Sequence, residues 1–353
     1  MRPQRPSRSN GQIPPLSILE LATVQEDSGA EAALAAVTNL ARRADELGFR
    51  RIWLAEHHGY RSVGSVAPAV LAAQVAATTT RIRVGSGGVL LPHHAPIVLA
   101  EQFATLAALH PGRVDLGIAR GPGTTDDRVL HALRSNLRPN GDDTYRVDLA
   151  ELLGYLDSDA PIHPLANLRT PPEPWLLSSS VAGAELAAEW GLPLAFGHHI
   201  RPSNTVPAIA RYRERFRPSR WTEHPYVMVS IETLCAPTDA DAEALGKPAA
   251  LTMAAALQGK GPNAVLLSAE KAADTSIPPD VAERLAVLRG TQAHGSPASV
   301  AARLAHLAAL TAADELMLLT PVYDPGARAR SLELVTGTVN AVSPTMNGDV
   351  GTE

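Results

Sequence analysis

The sequence predicts an α/β fold of the (β/α)8 TIM-barrel class, with an extended loop insertion before the last strand. Three observations carry the prediction. Short β-like apolar runs alternate with longer helical stretches, eight such pairs can be counted, and no Gly-rich fingerprint follows the first strand as it would in an open doubly wound sheet. At 353 residues the chain exceeds ordinary domain size but suits one barrel.

The first strand is "LSILELA" (16–22), followed by a helix near 30–48 whose Ala-rich stretch "EAALAAVTNLARRADEL" suits an amphipathic packed helix. The unit repeats with "RIWLAE" (51–56) and a helix near 66–79, "IRVGSGGVLL" (82–91) and 95–109, and "RVDLGIA" (113–119) and 145–156. It continues through "WLLSSS" (175–180) with 181–190, "PLAFG" (193–197) with 204–217, and "YVMVSIETLC" (226–235) with 239–257. A helix at 297–312, the strand "DELMLLT" (314–320) and a helix at 325–341 complete the set. Between them, 258–296 reads as a long irregular insertion. Connections of that length are lids or binding loops, with a surface excursion of no role as the competing account. The barrel is expected to span 15–343, between a flexible basic tail at 1–14, carrying Arg2, Arg5 and Arg8, and a flexible tail at 344–353.

Composition narrows the class. The chain is 45% hydrophobic and 4% aromatic, ample for a core of small-residue helices. A net charge of −5 offers no positive field for nucleic acid or an anionic membrane surface. One cysteine, Cys235, excludes an internal disulfide framework and fits a reducing compartment. No run reaches the roughly 18 apolar residues of a membrane span, so a cytoplasmic location is expected.

In such barrels chemistry gathers at the C-terminal strand ends. Histidine pairs fall at three of them: His57-His58, His93-His94 and His198-His199. "EHH" at 56–58 raises the question of a metal, but alternation along a strand sends His57 and His58 to opposite faces, and no zinc-type spacing occurs, so no metal site is expected. The fourth strand ends in Arg120 before "GPG", an open loop in which a guanidinium suits phosphate oxygens; a structural ion pair is the alternative. Ser178, Ser179 and Ser180 precede a helix whose N-terminus could hold an anion, or Ser180 is simply its N-cap. Gly85, Gly87 and Gly88 imply close approach to backbone, by a flat ring or a non-proline cis peptide, or else a bulge.

These motifs resemble the bacterial luciferase-like family of flavin-dependent monooxygenases. The likeness runs in order through "GFRRIWLAEHH", "TRIRVGSGGVLLPHHAP", "AEQFATLAALHPGRVDLGIARGPG", "SSSVAGAELAAEWGLPLAF" and "GSPASVAARLAHL...ADELMLLTPVYD", covering nearly all of 15–343. It is nearest to a single-chain subgroup found among natural-product tailoring enzymes, which implies a place in secondary metabolism. The resemblance implies FMN at the barrel mouth. Arg120, Ser179, Ser180, Gly183 and nearby amides would hold the phosphate, with Glu56, Ser86, Gly87 and Gly88 about the ring and a cis peptide at Gly87-Gly88. His57 matches the family's active-site histidine, and His58, His93, His94, His198 and His199 are expected to line the substrate pocket. Ala119 stands where luciferase has cysteine and Gly183 where it has a phosphate-binding threonine, so light emission is not expected.

The function expected is a two-component monooxygenase, fed reduced FMN by a separate flavin reductase and using O2 to oxygenate a small organic substrate, as a homodimer. The alternatives are hydride transfer with a flavin or deazaflavin without O2, and a non-catalytic flavin-binding protein.

Overall fold

The computed structural model describes residues 12–134, 141–157 and 162–342. Its strands are β1 (Leu16–Glu20), β2 (Arg51–Leu54), β3 (Arg83–Ser86), β4 (Val89–Leu90), β5 (Val114–Ala119), β6 (Glu173–Ser178), β7 (Leu194–Gly197), β8 (Val227–Cys235), β9 (Ala293–Gly295) and β10 (Glu315–Leu319). All pair in parallel, in the order β10-β1-β2-β3-β5-β6-β7-β8, and β10 pairs with β8 as well as β1, which closes the barrel. The predicted (β/α)8 architecture is the one observed. β4 resumes the line of β3 and pairs with β5, while β9 pairs with the distal half of β8 at Thr233–Cys235.

The strands alternate between two cores, as a period of two requires. Ile18, Ile52, Leu54, Val84, Leu116 and Ile118 face outward into the helix layer. Leu19, Trp53, Trp175, Ala195, Met228 and Met317 fill the barrel itself. The helices are α1 (Ala30–Leu47), α2 (Pro68–Ala77), α3 (Pro96–Leu109), α4 (Asp127–Arg134), α5 (Asp142–Tyr155), α6 (Val181–Glu189), α7 (Thr205–Arg215), α8 (Asp239–Leu257), α9 (Ala269–Ala273), α10 (Pro279–Arg289), α11 (Pro297–Thr311) and α12 (Pro325–Val342). α1 shows how sequence sets an element: Ala33, Val37, Leu40, Ala41 and Ala44 recur at helical spacing and are buried, and Gly48 ends the helix in the left-handed region at φ 81°. Pro68 and Pro96 open α2 and α3, where a missing N–H costs nothing.

Below the apolar barrel core lies a charged floor. Arg51 Nε and Nη2 donate to Glu315 at 2.7 and 3.2 Å, and Arg51 Nη1 donates to Asp115 at 2.7 Å. Arg83 and Trp53 Nε1 also donate to Asp115, and Tyr226 and Ser17 donate to Glu315. The Arg51 guanidinium lies 4.6 Å from the Trp175 ring centroid. Every carboxylate oxygen of Asp115 and Glu315 thus has a donor, which is what allows charges to sit inside a barrel.

Three expectations are corrected. Residues 258–296 are not irregular: they hold a 3-10 turn at Gly261–Asn263, α9, α10 and β9. Val281 and Leu285, with Ile277 and Leu288, pack on Ala254 and Leu257 of α8, giving the insertion a small core of its own. Second, the run 82–91 is two strands rather than one, parted at Gly87-Gly88. Third, the run 175–180 ends at Ser178, so Ser179 and Ser180 lie beyond β6. Of the expected tails, 344–353 and most of 1–14 lie outside the described residues; Ile13 is buried.

Candidate active site

The strand ends bring five of the six candidate histidines, His57, His58, His93, His94 and His199, to one mouth, in two groups. The first is built on Glu56, whose side chain is fully buried. Its Oε1 receives His58 Nε2 at 2.9 Å and His94 Nε2 at 2.8 Å, and its Oε2 receives the Leu90 N–H at 2.8 Å. Burial alone would raise this carboxyl, but the hydrogen bonds from His58, His94 and Leu90 outweigh it and hold the group down at about 2. Glu56 is therefore an ionised clasp between the loops after β2 and β4, its oxygens already occupied. His93 Nε2 donates to the Pro122 carbonyl at 2.8 Å, and the His58 N–H donates to Gly123 O. These two contacts fix the "GPG" loop that follows Arg120.

The second group faces inward. β2 ends at Leu54, so strand alternation does not reach His57 and His58; the two rings diverge in the loop, His58 to Glu56 and His57 to Tyr60. The His57 ring stands edge-on to Tyr60 at 6.0 Å, and its Nδ1 is buried without a hydrogen-bond partner. Burial and the nearby His58 push His57 down, so it is a neutral imidazole near pH 7. His199 Nδ1 lies 2.7 Å from Ser230 Oγ, whose own proton goes to Phe196 O at 3.1 Å. The hydroxyl must then accept from His199, which places the ring proton on Nδ1 and leaves Nε2 as the acceptor. Burial, with His198 and His57 close by, pushes His199 down to about 4. Ser230 was not among the sequence candidates, although its place in 226–235 and the strand's alternation could have pointed to it.

His198 is placed differently. Nδ1 meets Thr205 Oγ1 at 2.8 Å and Nε2 meets Thr291 O at 3.2 Å, so both nitrogens tie the start of α7 to the end of the insertion.

Glycine shapes the wall between β3 and β5. The Gly87-Gly88 peptide is cis, as the resemblance implied. A Cβ on Gly87 would stand 2.6 Å from Leu19 Cδ1, and one on Gly88 would stand 2.9 Å from Gly117 O. Close approach of the Gly117 backbone is thus the reason for Gly88, and packing of the Leu19 and Trp53 side chains is the reason for Gly87. Ser86 is fully buried and donates to Gly117 O at 2.8 Å, so its hydroxyl is committed to this seam.

Ser180 is the N-cap of α6, accepting from Gly183 N at 3.1 Å, and Ser178 Oγ lies 3.2 Å from Ser180 Oγ. A Cβ at Gly183 would overlap Ser178 Oγ, which explains glycine where luciferase has a threonine. Ser179 O accepts from Asn204 Nδ2. Arg120 is half exposed, pairs with Asp142 and lies over Tyr145 at 5.9 Å. Asp142 was not foreseen, because it stands at the start of α5, far along the chain from Arg120.

The insertion is fastened over this end of the barrel. Pro262 O accepts from Arg61 N, Leu266 O accepts from Glu26 N, and Lys271 Nζ pairs with Glu26 at 2.7 Å. A separate cavity of about 550 Å³ lies between α8, α10 and α11 and is lined by none of the candidate residues. Among the described residues no group of three or more His, Cys, Asp or Glu side chains is arranged for a metal ion, and no helix is long and apolar enough to cross a membrane.

Fold and site together define a barrel enzyme with its chemistry at the C-terminal strand ends. The chain belongs to the luciferase-like monooxygenase family, which it matches over residues 15–314. It is 38% identical over 322 residues to a luciferase-like monooxygenase of Escherichia coli K12, covering 90% of this chain and 95% of that one. The crystal structure of apo-MsnO8 superposes with a TM-score of 0.85 at 36% identity, covering 94% of this chain and 99% of that one. The oxygenating constituent of 3,6-diketocamphane monooxygenase from Pseudomonas putida, solved in complex with FMN, shares the fold at TM-score 0.66 and 21% identity, over 92% and 98% of the two chains.

Proposed function

We propose that this monooxygenase-family enzyme binds reduced FMN supplied by a separate flavin reductase and uses O2 to oxygenate a small organic substrate, in the cytoplasm and in secondary metabolism. The observation that carries the reading is His57 Nδ1, a buried polar atom at the mouth with no partner among the described residues. Such an atom is costly unless a ligand meets it.

The residues present fit the cofactor. Arg120, the hydroxyls of Ser178 and Ser180, and the first amides of α6 would hold the phosphate, since a helix N-terminus offers free N–H groups and a positive dipole end. The side-chain-free wall at Gly87-Gly88 would seat the ring. FMN in its reduced form supplies the electrons that activate O2. The protein's own part is narrower: neutral His57 accepts or donates a proton at Nδ1, His199 accepts at Nε2, and the insertion keeps water from the mouth. A homodimer is supported by apolar side chains left exposed on and before α2 and α3, Val66, Val70 and Val98.

The test is to mix the protein with reduced FMN under argon, add candidate substrate and admit 18O2. Product carrying one labelled oxygen is expected. Turnover under argon, or turnover only with a reduced deazaflavin, overturns the reading in favour of hydride transfer.

A further inference from the structure

Glu56 entered the sequence reading as a cofactor contact, and its geometry assigns it other work. We infer that Glu56 is a positioning residue that fixes the ring protons of His58 and His94 on Nε2, so that both histidines exchange protons with the reaction only through Nδ1. The proposal rests on the proposed function for what that exchange serves, though not for the tautomers themselves.

The count of donors and acceptors around Glu56 fixes the tautomers. A carboxylate accepts and cannot donate. Glu56 Oε2 is taken by the Leu90 N–H, a donor that has no other form. Oε1 is shared by two imidazole nitrogens, His58 Nε2 at 2.9 Å and His94 Nε2 at 2.8 Å. With an ionised acceptor between them, both nitrogens must carry a proton, whether each ring is neutral or charged. The lone pair of either neutral ring is then on Nδ1.

The surroundings reinforce this assignment. The charged and titratable groups facing the clasp are His57, next in the chain, His93, whose ring meets His58 edge-on at 5.9 Å, and Arg134 near His93. None of them offers the Nε2 atoms a competing acceptor. His93 follows the same rule with a different partner: the Pro122 carbonyl also accepts only, so His93 carries its proton on Nε2, leaving Nδ1 buried and bare. Three histidines from the loops after β2 and β4 thus share one tautomer, opposite to that of His199 across the mouth.

The test uses the full-length protein labelled with 15N in its histidine rings. Long-range proton–nitrogen spectra at pH 7.5 distinguish the tautomers, with and without FMN. Both His58 and His94 are expected to show protonated Nε2 in wild type, assigned by His58→Gln and His94→Gln, and this measurement stands even if a Glu56 variant folds poorly. In Glu56→Gln, whose amide NH2 cannot accept, at least one of the two rings is expected to lose the fixed proton, and turnover to fall at least tenfold while FMN affinity stays within twofold. A neutral Nδ1–H tautomer at either ring in wild type, unchanged tautomers in Glu56→Gln, or a variant that loses FMN affinity yet turns over normally when saturated would overturn the assignment. Inactivity of the wild type towards O2 with intact tautomers would count against the proposed function and leave the role of Glu56 standing.

Discussion

At the floor of the barrel Arg51, Asp115 and Glu315 are buried with every carboxylate oxygen met by a donor; at the mouth Glu56 is equally buried and equally met, yet beside it His57 Nδ1 and His93 Nδ1 have no partner. Both ends desolvate ionisable groups. The floor closes its carboxylates on its own donors and leaves bare only Trp175 Nε1, an indole N–H beneath Arg51 that cannot accept, whereas the mouth closes only the part that holds its loops and leaves imidazole nitrogens bare. Burial of a charge is thus no sign of function by itself, and an unpaired titratable nitrogen beside the buried group is the more useful mark. Substitutions at the two ends should fail in different ways: the floor in stability, the mouth in turnover.

The largest effect is expected at the floor. Arg51→Met would leave Asp115 and Glu315 buried with fewer donors, and breaking a buried pair from one side costs about 3–5 kcal/mol. Urea unfolding should show that loss, while kcat per folded molecule at saturating flavin changes less than twofold. A stability loss below about 1 kcal/mol would mean that the floor is hydrated and that the contrast is false.

His57→Ala inverts the pattern. Removing a ring whose Nδ1 has no partner orphans no new protein group, so stability should move by about 1 kcal/mol or less. FMN should remain bound, and coupled oxygenation should fall at least about a hundredfold, roughly 2.7 kcal/mol of barrier. Unchanged product yield removes His57 from the chemistry.

Acid separates the ends further. His199 ionises at about 4 in the folded protein and at about 6.5 in an unfolded chain. The unfolded state therefore binds the extra proton first, so stability is full above about pH 6.5 and is lost as pH falls toward 4, at up to about 1.4 kcal/mol per pH unit. His199→Asn, which can still reach Ser230, should flatten the stability curve across that window; an unaltered slope assigns it to another group. Glu56, held at about 2, contributes stability that is present above its unfolded value near 4.5 and lost only as pH falls through about 2.

Much of this contrast was legible in the sequence, but unevenly. The eight barrel strands stand out because apolar runs buried on both faces are dense, and the histidine pairs mark the mouth because they fall just past those runs. The floor is hidden: Arg51, Asp115 and Glu315 are separated by more than sixty residues, and each reads as an ordinary charge at a strand's start. α10 was missed because its 11 residues bury only Val281 and Leu285 firmly, too few to establish a helical period. Ser179 and Ser180 were placed on a strand because three serines after an apolar run look alike until the hydrogen bond from Gly183 N to Ser180 marks where α6 begins.

The smallest expected effect is the most discriminating for the cofactor. Arg120 is the one cationic candidate for the phosphate, and in the protein as it stands its guanidinium is taken by Asp142, with side chains 53% and 74% exposed. A pair that exposed is worth at most about 1 kcal/mol. An incoming phosphate, doubly charged and able to accept both arms of the guanidinium, outcompetes a carboxylate at that cost. Asp142→Asn should therefore tighten FMN binding by up to about fivefold, whereas Arg120→Ala should weaken it by about ten- to a hundredfold, the loss of a charged hydrogen-bonding group. Fluorescence titration of both variants reads the two signs directly. Opposite signs place the phosphate on Arg120 with Asp142 as its internal competitor; a shared loss of affinity would mean that Asp142 holds Arg120 in its working position, and wild-type affinity in Arg120→Ala would move the phosphate elsewhere.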